Sequence, residues 1–301
     1  MSTMDVMAEG LLFPEGPVAM PDGSVLLVEL IRQTLSRVSP DGSVEVVAEL
    51  GGGPNGVALG PDGRAYVCNN GGFGPDNDAG GYFASLGMPP EYVGGSIQAV
   101  DLETGKVEDL YTHCDGHRLS GPNDIVFDSA GGFWFTDLGK TWPRTHDHGG
   151  VYYASPDGSL VTEVIYPLIT PNGVGLSPDG GRLYVAETNT GALYAWDLSD
   201  PGKIASPARK LVHRVPGTHR FDSLAVDSEG HVCVGTLGSG GGITDVDPLG
   251  AAAPVIVETG DPLTTNICFG GSDLRTAYLT CSRTGTLRTF EWPRPGLALN
   301  Y

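Results

Sequence analysis

The amino-acid sequence predicts an all-β fold, a six-bladed propeller of four-stranded antiparallel blades around a central channel. Three observations lead there. One short unit recurs six times, its copies lie mostly 40 to 50 residues apart, and the 301 residues include 46 glycines and 23 prolines while 40% stay hydrophobic. A chain so rich in turn formers, yet with ample apolar material for a core, makes many short strands rather than disorder. The glycines have no period of three, which excludes collagen, and helical periodicity is weak throughout.

The copies begin at Glu15 (EGPVAMPDGSVLLVE), Asn55 (NGVALGPDGRAYVCN), Asn123 (NDIVFDSAGGFWFTD), Asn172 (NGVGLSPDGGRLYVAE), Asp222 (DSLAVDSEGHVCVGT) and Asn266 (NICFGGSDLRTAYLT). In each, a turn starts six residues after the anchor, at Pro21, Pro61, Ser129, Pro178, Ser228 and Ser272. Apolar runs joined by Pro-Asp-Gly or Ser-Glu-Gly read as hairpins, because Pro-Asp presets the bend and Gly supplies a positive φ. Further runs, such as Thr34 to Val38 and Val44 to Ala48 around Ser39-Pro40-Asp41-Gly42, complete four-stranded meanders. Anchor spacings of 40 (15 to 55), 68 (55 to 123), 49 (123 to 172), 50 (172 to 222) and 44 (222 to 266) fit propeller blades. All of residues 1–301 then form one propeller domain. The sixth copy holds about three strands, so Thr3 to Ala8 is expected to supply the fourth and close the ring. The long spacing marks an insertion in blade two, residues 69–95, expected to act as a lid over one mouth of the channel.

Acidic residues number 36 against 17 basic, a formal net charge of −19. Such a chain repels a phosphate backbone or an anionic bilayer, so neither nucleic acid nor membrane is an expected partner. A neutral small molecule or a cation fits better. No apolar stretch approaches the ~20 residues of a membrane span, and the N-terminus lacks a basic n-region. Cys68, Cys114, Cys233, Cys268 and Cys281 form no Cys-x-x-Cys pair. They read as reduced, buried thiols of a cytoplasmic protein. Nothing in the sequence fixes an oligomeric state.

In a propeller the first strand of each blade lies innermost, so the six anchors meet in a ring around the axis. That ring offers only oxygens: the carboxylates of Glu15 and Asp222 and the amides of Asn55, Asn123, Asn172 and Asn266. Such a set suits one hard divalent cation, Ca²⁺ first, with Mg²⁺, Mn²⁺, Fe²⁺ or Zn²⁺ left open. No Cys or His stands at an anchor, so a thiolate or imidazole zinc site is not indicated. Asn-Gly and Asp-Ser ahead of a strand are also common turn residues, an alternative that stays open for any anchor taken singly. Glu15, Asn172 and Asp222 taken together point to a metal. His146-Asp147-His148 reads as a solvated loop, and His219-Arg220 reads equally as lining or surface.

The segments FPEGPV, GPNGVALGPDGRAYVCNNGG, HRLSGPNDIVFDSAGGFWFTD, TPNGVGLSPDG and FDSLAVDSEG resemble the SMP-30/gluconolactonase/LRE family, and the resemblance runs along essentially the whole chain. It implies a six-bladed propeller that hydrolyses sugar lactones or related esters with one bound divalent metal. It further implies that Glu15, Asn172 and Asp222 hold the metal, and that Asn123 ligates it or holds substrate. Where some family members carry an Arg that binds substrate hydroxyls, this chain has Gly121. Arg118 lies nearby and, with Asn55 and Asn266, is a substrate candidate. The expected function is a metal-dependent lactonase acting on an aldonolactone such as glucono- or xylonolactone. The metal polarises the carbonyl and Asp222 serves as general base. Hydrolysis of an organophosphate-type ester on the same ring and a non-catalytic ligand-binding propeller are the alternatives. No Gly-x-Ser-x-Gly elbow or Walker pattern occurs, which leaves serine-hydrolase and nucleotide chemistry without support.

Overall fold

In the computed structural model, which describes residues 4–74 and 88–301, six antiparallel sheets of four or five strands follow one another along the chain. Their inner strands are Pro14–Ala19, Pro54–Leu59, Pro122–Phe127, Pro171–Leu176, Arg220–Val226 and Thr264–Gly270. Each packs on the inner strands of both neighbouring blades, and the first packs on the last, so the ring closes. Among the described residues there is no helix, hence none long and apolar enough to cross a membrane.

The turns follow from their residues. In all five Pro-Asp-Gly turns the Gly N–H donates to the carbonyl three residues back, on Met20, Ser39, Gly60, Ser155 and Ser177. The glycines (Gly23, Gly42, Gly63, Gly158, Gly180) have φ between 68° and 83°, a conformation that disfavours a side chain. The Asp Oδ1 atom accepts the backbone N–H two residues on in every case. Five of the acidic residues are therefore turn formers.

Packing lies between blades rather than in one central core. Six clusters of buried apolar side chains occur, and each joins two adjacent blades. The second strand of blade one illustrates why. Val25, Leu26, Leu27 and Val28 are all fully buried, and alternation along a strand sends successive side chains to opposite faces. Leu26 and Val28 meet blade two, whereas Val25 and Leu27 meet blade six. A strand covered on both faces reads as a continuous apolar run, which is how these segments appear in the sequence.

Asp5–Ala8 pairs with Thr286–Glu291 as the outermost strand of blade six. This is the expected closure, with Thr3 outside the described residues. The sequence did not suggest the small hairpin of His113–Cys114 and His117–Arg118, or the short strand Lys203–Ile204 added to blade four. Asn69 ends the second strand of blade two, so the insertion starts one residue later; residues 75–87, the middle of the expected lid, lie outside the described residues.

Deleting residues 1–8 removes the closing strand and the packing of Met7 and Ala8. The melting temperature is expected to fall by roughly 10 °C, a few kcal/mol for a domain of this size. An unchanged calorimetric melt would contradict the closure.

Candidate functional site

The inner strands share one irregularity. Their register with the second strand shifts between Glu15 and Val18, Pro54 and Val57, Pro122 and Ile125, Pro171 and Val174, Phe221 and Leu224, and Thr264 and Asn266. Every anchor lies within or at the edge of such a bulge. A bulge re-aims side chains and breaks local pairing, and here it accompanies six buried polar anchors. The Asn-Gly pairs at 55–56 and 172–173 are thus not turns but parts of strands. Glycine is required for close approach: a Cβ on Gly56 would sit 2.5 Å from the Asn123 carbonyl oxygen, and one on Gly173 2.7 Å from that of Asp222.

The ring separates two cavities. The one on the side where the inner strands begin has a volume of about 120 Å³, and Glu15, Asn55, Asn123, Asn172 and Asp222 all line it. The larger, about 460 Å³, lies beyond the ring and is lined by Asn266, Asp124 and the C-terminal tail from Leu297 to Tyr301. The structure therefore brings together five of the seven candidate residues. Asn266 faces the other cavity, with its Oδ1 accepting the Ile267 N–H at 2.8 Å. Arg118 is exposed on the small hairpin and lines neither cavity. His146, read as a loop residue, is exposed yet borders the smaller cavity, as does Arg220.

Glu15 and Asp222 are 2% and 4% exposed. Burial raises the Glu15 carboxyl well above its ordinary range, and the Asp222 carboxylate adds to the effect. Burial likewise pushes Asp222 up to about 8; Asp124 contributes in the same direction, whereas a hydrogen bond from Asn172 opposes it. The Asn172 amide is itself held, donating to Thr188 Oγ1 at 3.1 Å and accepting from Ser223 Oγ at 3.2 Å. Asn55 Nδ2 donates to the Asn123 carbonyl at 3.3 Å. The Asn123 Oδ1 is buried with no hydrogen-bond partner among the described residues.

Two buried carboxylates in a low-dielectric ring and an orphaned amide oxygen beside them are oxygens that could hold a hard cation. Among the described residues no three His, Cys, Asp or Glu side chains gather to hold a metal by themselves. Amide oxygens would complete the set, as the sequence suggested.

Sequence reasoning missed two buried charges. Asp124 follows the anchor Asn123, at the position that holds Gly in blades one, two and four. Its carboxylate accepts Ile125 N–H at 3.0 Å and, from the next blade, Val174 N–H at 3.1 Å. Burial pushes it up to about 7. It ties neighbouring bulges together, and the one usable signal was an Asp where the repeat expects a small residue. The other charge is Lys140, in the wall of the smaller cavity; nothing local in the sequence marks it. Asp124→Ala strands two buried N–H groups and is expected to cost about 2–4 kcal/mol, at roughly 1–3 kcal/mol per buried unsatisfied group. Urea unfolding measures this, and a loss below about 0.5 kcal/mol, the range of an ordinary surface substitution, would refute the tie.

Comparison with known proteins places this geometry. Residues 13–283 match the family described as SMP-30/Gluconolactonase/LRE-like region. The lactonase Drp35 of Staphylococcus saprophyticus is 33% identical over 242 residues, covering 79% of this chain and 66% of its own length. That of Staphylococcus haemolyticus is 31% identical over 240 residues, covering 79% and 67%. The chain thus spans about two thirds of the length of these relatives. Among solved structures, a gluconolactonase from Xanthomonas campestris has a TM-score of 0.75 at 24% identity, covering 96% of this chain and 89% of its own. The calcium-binding protein regucalcin from Agrobacterium tumefaciens has a TM-score of 0.72 at 18% identity, covering 99% and 98%. Both structural likenesses show the fold. The family match begins two residues before the first anchor and ends beyond the last, so it encloses the whole ring: the chain belongs to the SMP-30/gluconolactonase/LRE-like family.

Proposed function

We propose that the protein is a metal-dependent hydrolase that opens a lactone, a sugar lactone or similar cyclic ester, at the ring of anchors. The observation that carries this reading is the buried pair of Glu15 and Asp222, two carboxylates that face one small cavity with no cation paired to either among the described residues. The lactonase relatives support the choice of substrate class.

Glu15, Asn123, Asn172 and Asp222 would hold the cation. When bound, a divalent cation supplies Lewis-acid polarisation of an ester carbonyl and keeps neighbouring carboxylates ionised. The remaining chemistry belongs to the chain. Asp222 takes a proton from the attacking water as that water's oxygen bonds to the acyl carbon. The bond from the acyl carbon to the ring oxygen then breaks, and the proton passes to the departing alkoxide. The new carboxylic acid loses its own proton to solvent. Asn172, fixed by Thr188 and Ser223, orients the Asp222 carboxylate. Asn55 braces the Asn123 backbone, so it acts on the ring from behind.

Asp222→Asn is expected to leave the fold intact and to reduce kcat/KM for an aldonolactone by roughly 10³-fold or more, because it removes both a ligand charge and the base. Asn55→Ala should cost far less. Lactone hydrolysis measured after EDTA treatment should vanish and return with added Ca²⁺, Mg²⁺, Mn²⁺ or Zn²⁺. Activity that survives chelation, or an Asp222→Asn enzyme near wild-type rate, would sink the reading. An aryl phosphate ester turned over in place of any lactone would redirect it.

Stability gives a second test. The folded-state values of Asp222 and Glu15 are raised, so the cation-free protein holds protons there that the unfolded chain releases. The contribution of these two groups to its stability is fully present below the ordinary carboxylate range near pH 4 and is lost as the pH rises toward about 8, the Asp222 value. A bound cation replaces those protons. The gain in melting temperature on adding cation should therefore be larger at pH 8 than at pH 5, and scanning calorimetry at both values measures it. A gain independent of pH would place the cation elsewhere.

A further inference from the structure

Lys140 stands in the same cavity wall as Glu15 and Asp222, with 4% of its surface exposed. It follows the second strand of blade three, Phe133–Asp137, but its ammonium is held by blade two. Nζ donates to the Gly72 carbonyl at 2.8 Å and to Asn70 Oδ1 at 3.3 Å. The rings of Phe73 and Tyr92, from the two described ends of the blade-two insertion, lie 5.0 and 5.3 Å from it. Among the described residues no carboxylate forms an ion pair with it. Asp137 acts on it through space, and that carboxylate already accepts the N–H groups of Ser120, Gly121 and Gly139.

A buried ammonium is costly unless paired or well bonded. Two neutral acceptors and two aromatic faces offset part of that cost, and they occupy two of its three N–H donors. Partners are not scarce, since this chain carries 36 acidic side chains against 17 basic ones. Its lack of a carboxylate partner is therefore a property of the place. Arg220, two residues before Asp222, lines the same cavity; its guanidinium reaches Asn189 Oδ1 at 3.3 Å and, among the described residues, no carboxylate.

A divalent cation on Glu15 and Asp222 cancels both of those charges. What then faces the cavity is the positive charge of Lys140 and Arg220. We infer that the site takes a lactone that itself carries a carboxylate, with Lys140 as the residue that selects it and Arg220 as a second cation at the mouth. The inference rests on the lactonase reading above. The small cavity, about 120 Å³, favours a compact carboxylate over a phosphomonoester. The insertion then has a task at its described ends, which is to hold the selecting ammonium in place.

The test uses the cation-loaded enzyme and two lactones with the same ring, one bearing a carboxylate (an aldarolactone) and one a hydroxymethyl group (an aldonolactone). The expected kcat/KM ratio favours the acid by about tenfold or more, the scale of one charge-assisted hydrogen bond. Lys140→Met should cut that ratio by about tenfold or more, whereas Lys140→Arg should retain part of it. Calorimetric binding of the ring-opened diacid and monoacid to the same proteins provides a readout free of turnover. If neither lactone is hydrolysed but the diacid binds more tightly and Lys140→Met abolishes the difference, the lactonase reading fails and the anion site stands. Equal kcat/KM and equal binding in the wild type would overturn the inference, whether or not Lys140→Met folds. So would a ratio that Lys140→Met leaves unchanged.

Discussion

The burial of two carboxylates in one ring is the constraint on which the rest of this structure depends. Glu15 and Asp222 come from blades one and five, far apart in sequence, and both are nearly inaccessible. Burial away from water raises both above their ordinary range, and a neighbouring carboxylate adds to each, Asp222 for Glu15 and Asp124 for Asp222. The fold has to enforce that convergence, and it does so with inner strands that bulge at every anchor. Gly56 and Gly173 allow adjacent bulges to touch. Asp124 collects N–H groups that the irregular pairing leaves over. The energy that holds this arrangement comes from elsewhere, from the six apolar wedges between blades.

Charge in this chain is sorted by place. Much of the acidic excess is local and solvent-facing, as in the five turns whose Asp side chains accept a nearby N–H. Among the described residues, Glu15, Asp124 and Asp222 are the carboxylates buried at the ring. The basic side chains divide likewise. Among the described residues five of the ten ion pairs join two partly exposed side chains, where they contribute little, while Lys140 is buried among amide, carbonyl and aromatic partners beside the ring.

Propellers host many unrelated reactions, so a shared ring does not by itself define a substrate. Solved relatives with this shape include the Xanthomonas campestris gluconolactonase and a calcium-binding regucalcin. In this chain the wall around the ring has Gly121 near the anchor Asn123 and a cation supplied from the following connection.

The sequence by itself determined the repeat, the turns, the closing strand and five of the residues around the smaller cavity. Each of these is written in local order: an anchor, a run of alternating or continuous apolar residues, and a turn at fixed spacing. Equivalent positions in equivalent blades must meet, so periodicity alone predicts the ring. Tertiary structure decided the rest. Asn266 has the right repeat position, but its side chain bonds the next backbone N–H and faces the far cavity. Arg118 is close in sequence to Asn123, yet its hairpin carries it outward. Asn-Gly, ambiguous between turn and strand, is strand because the neighbouring blade leaves no room for a Cβ. Lys140 belongs to blade three by sequence and to the blade-two insertion by contact. A repeat pattern describes what each blade does for itself, whereas these four outcomes depend on what one blade's atoms meet in the next.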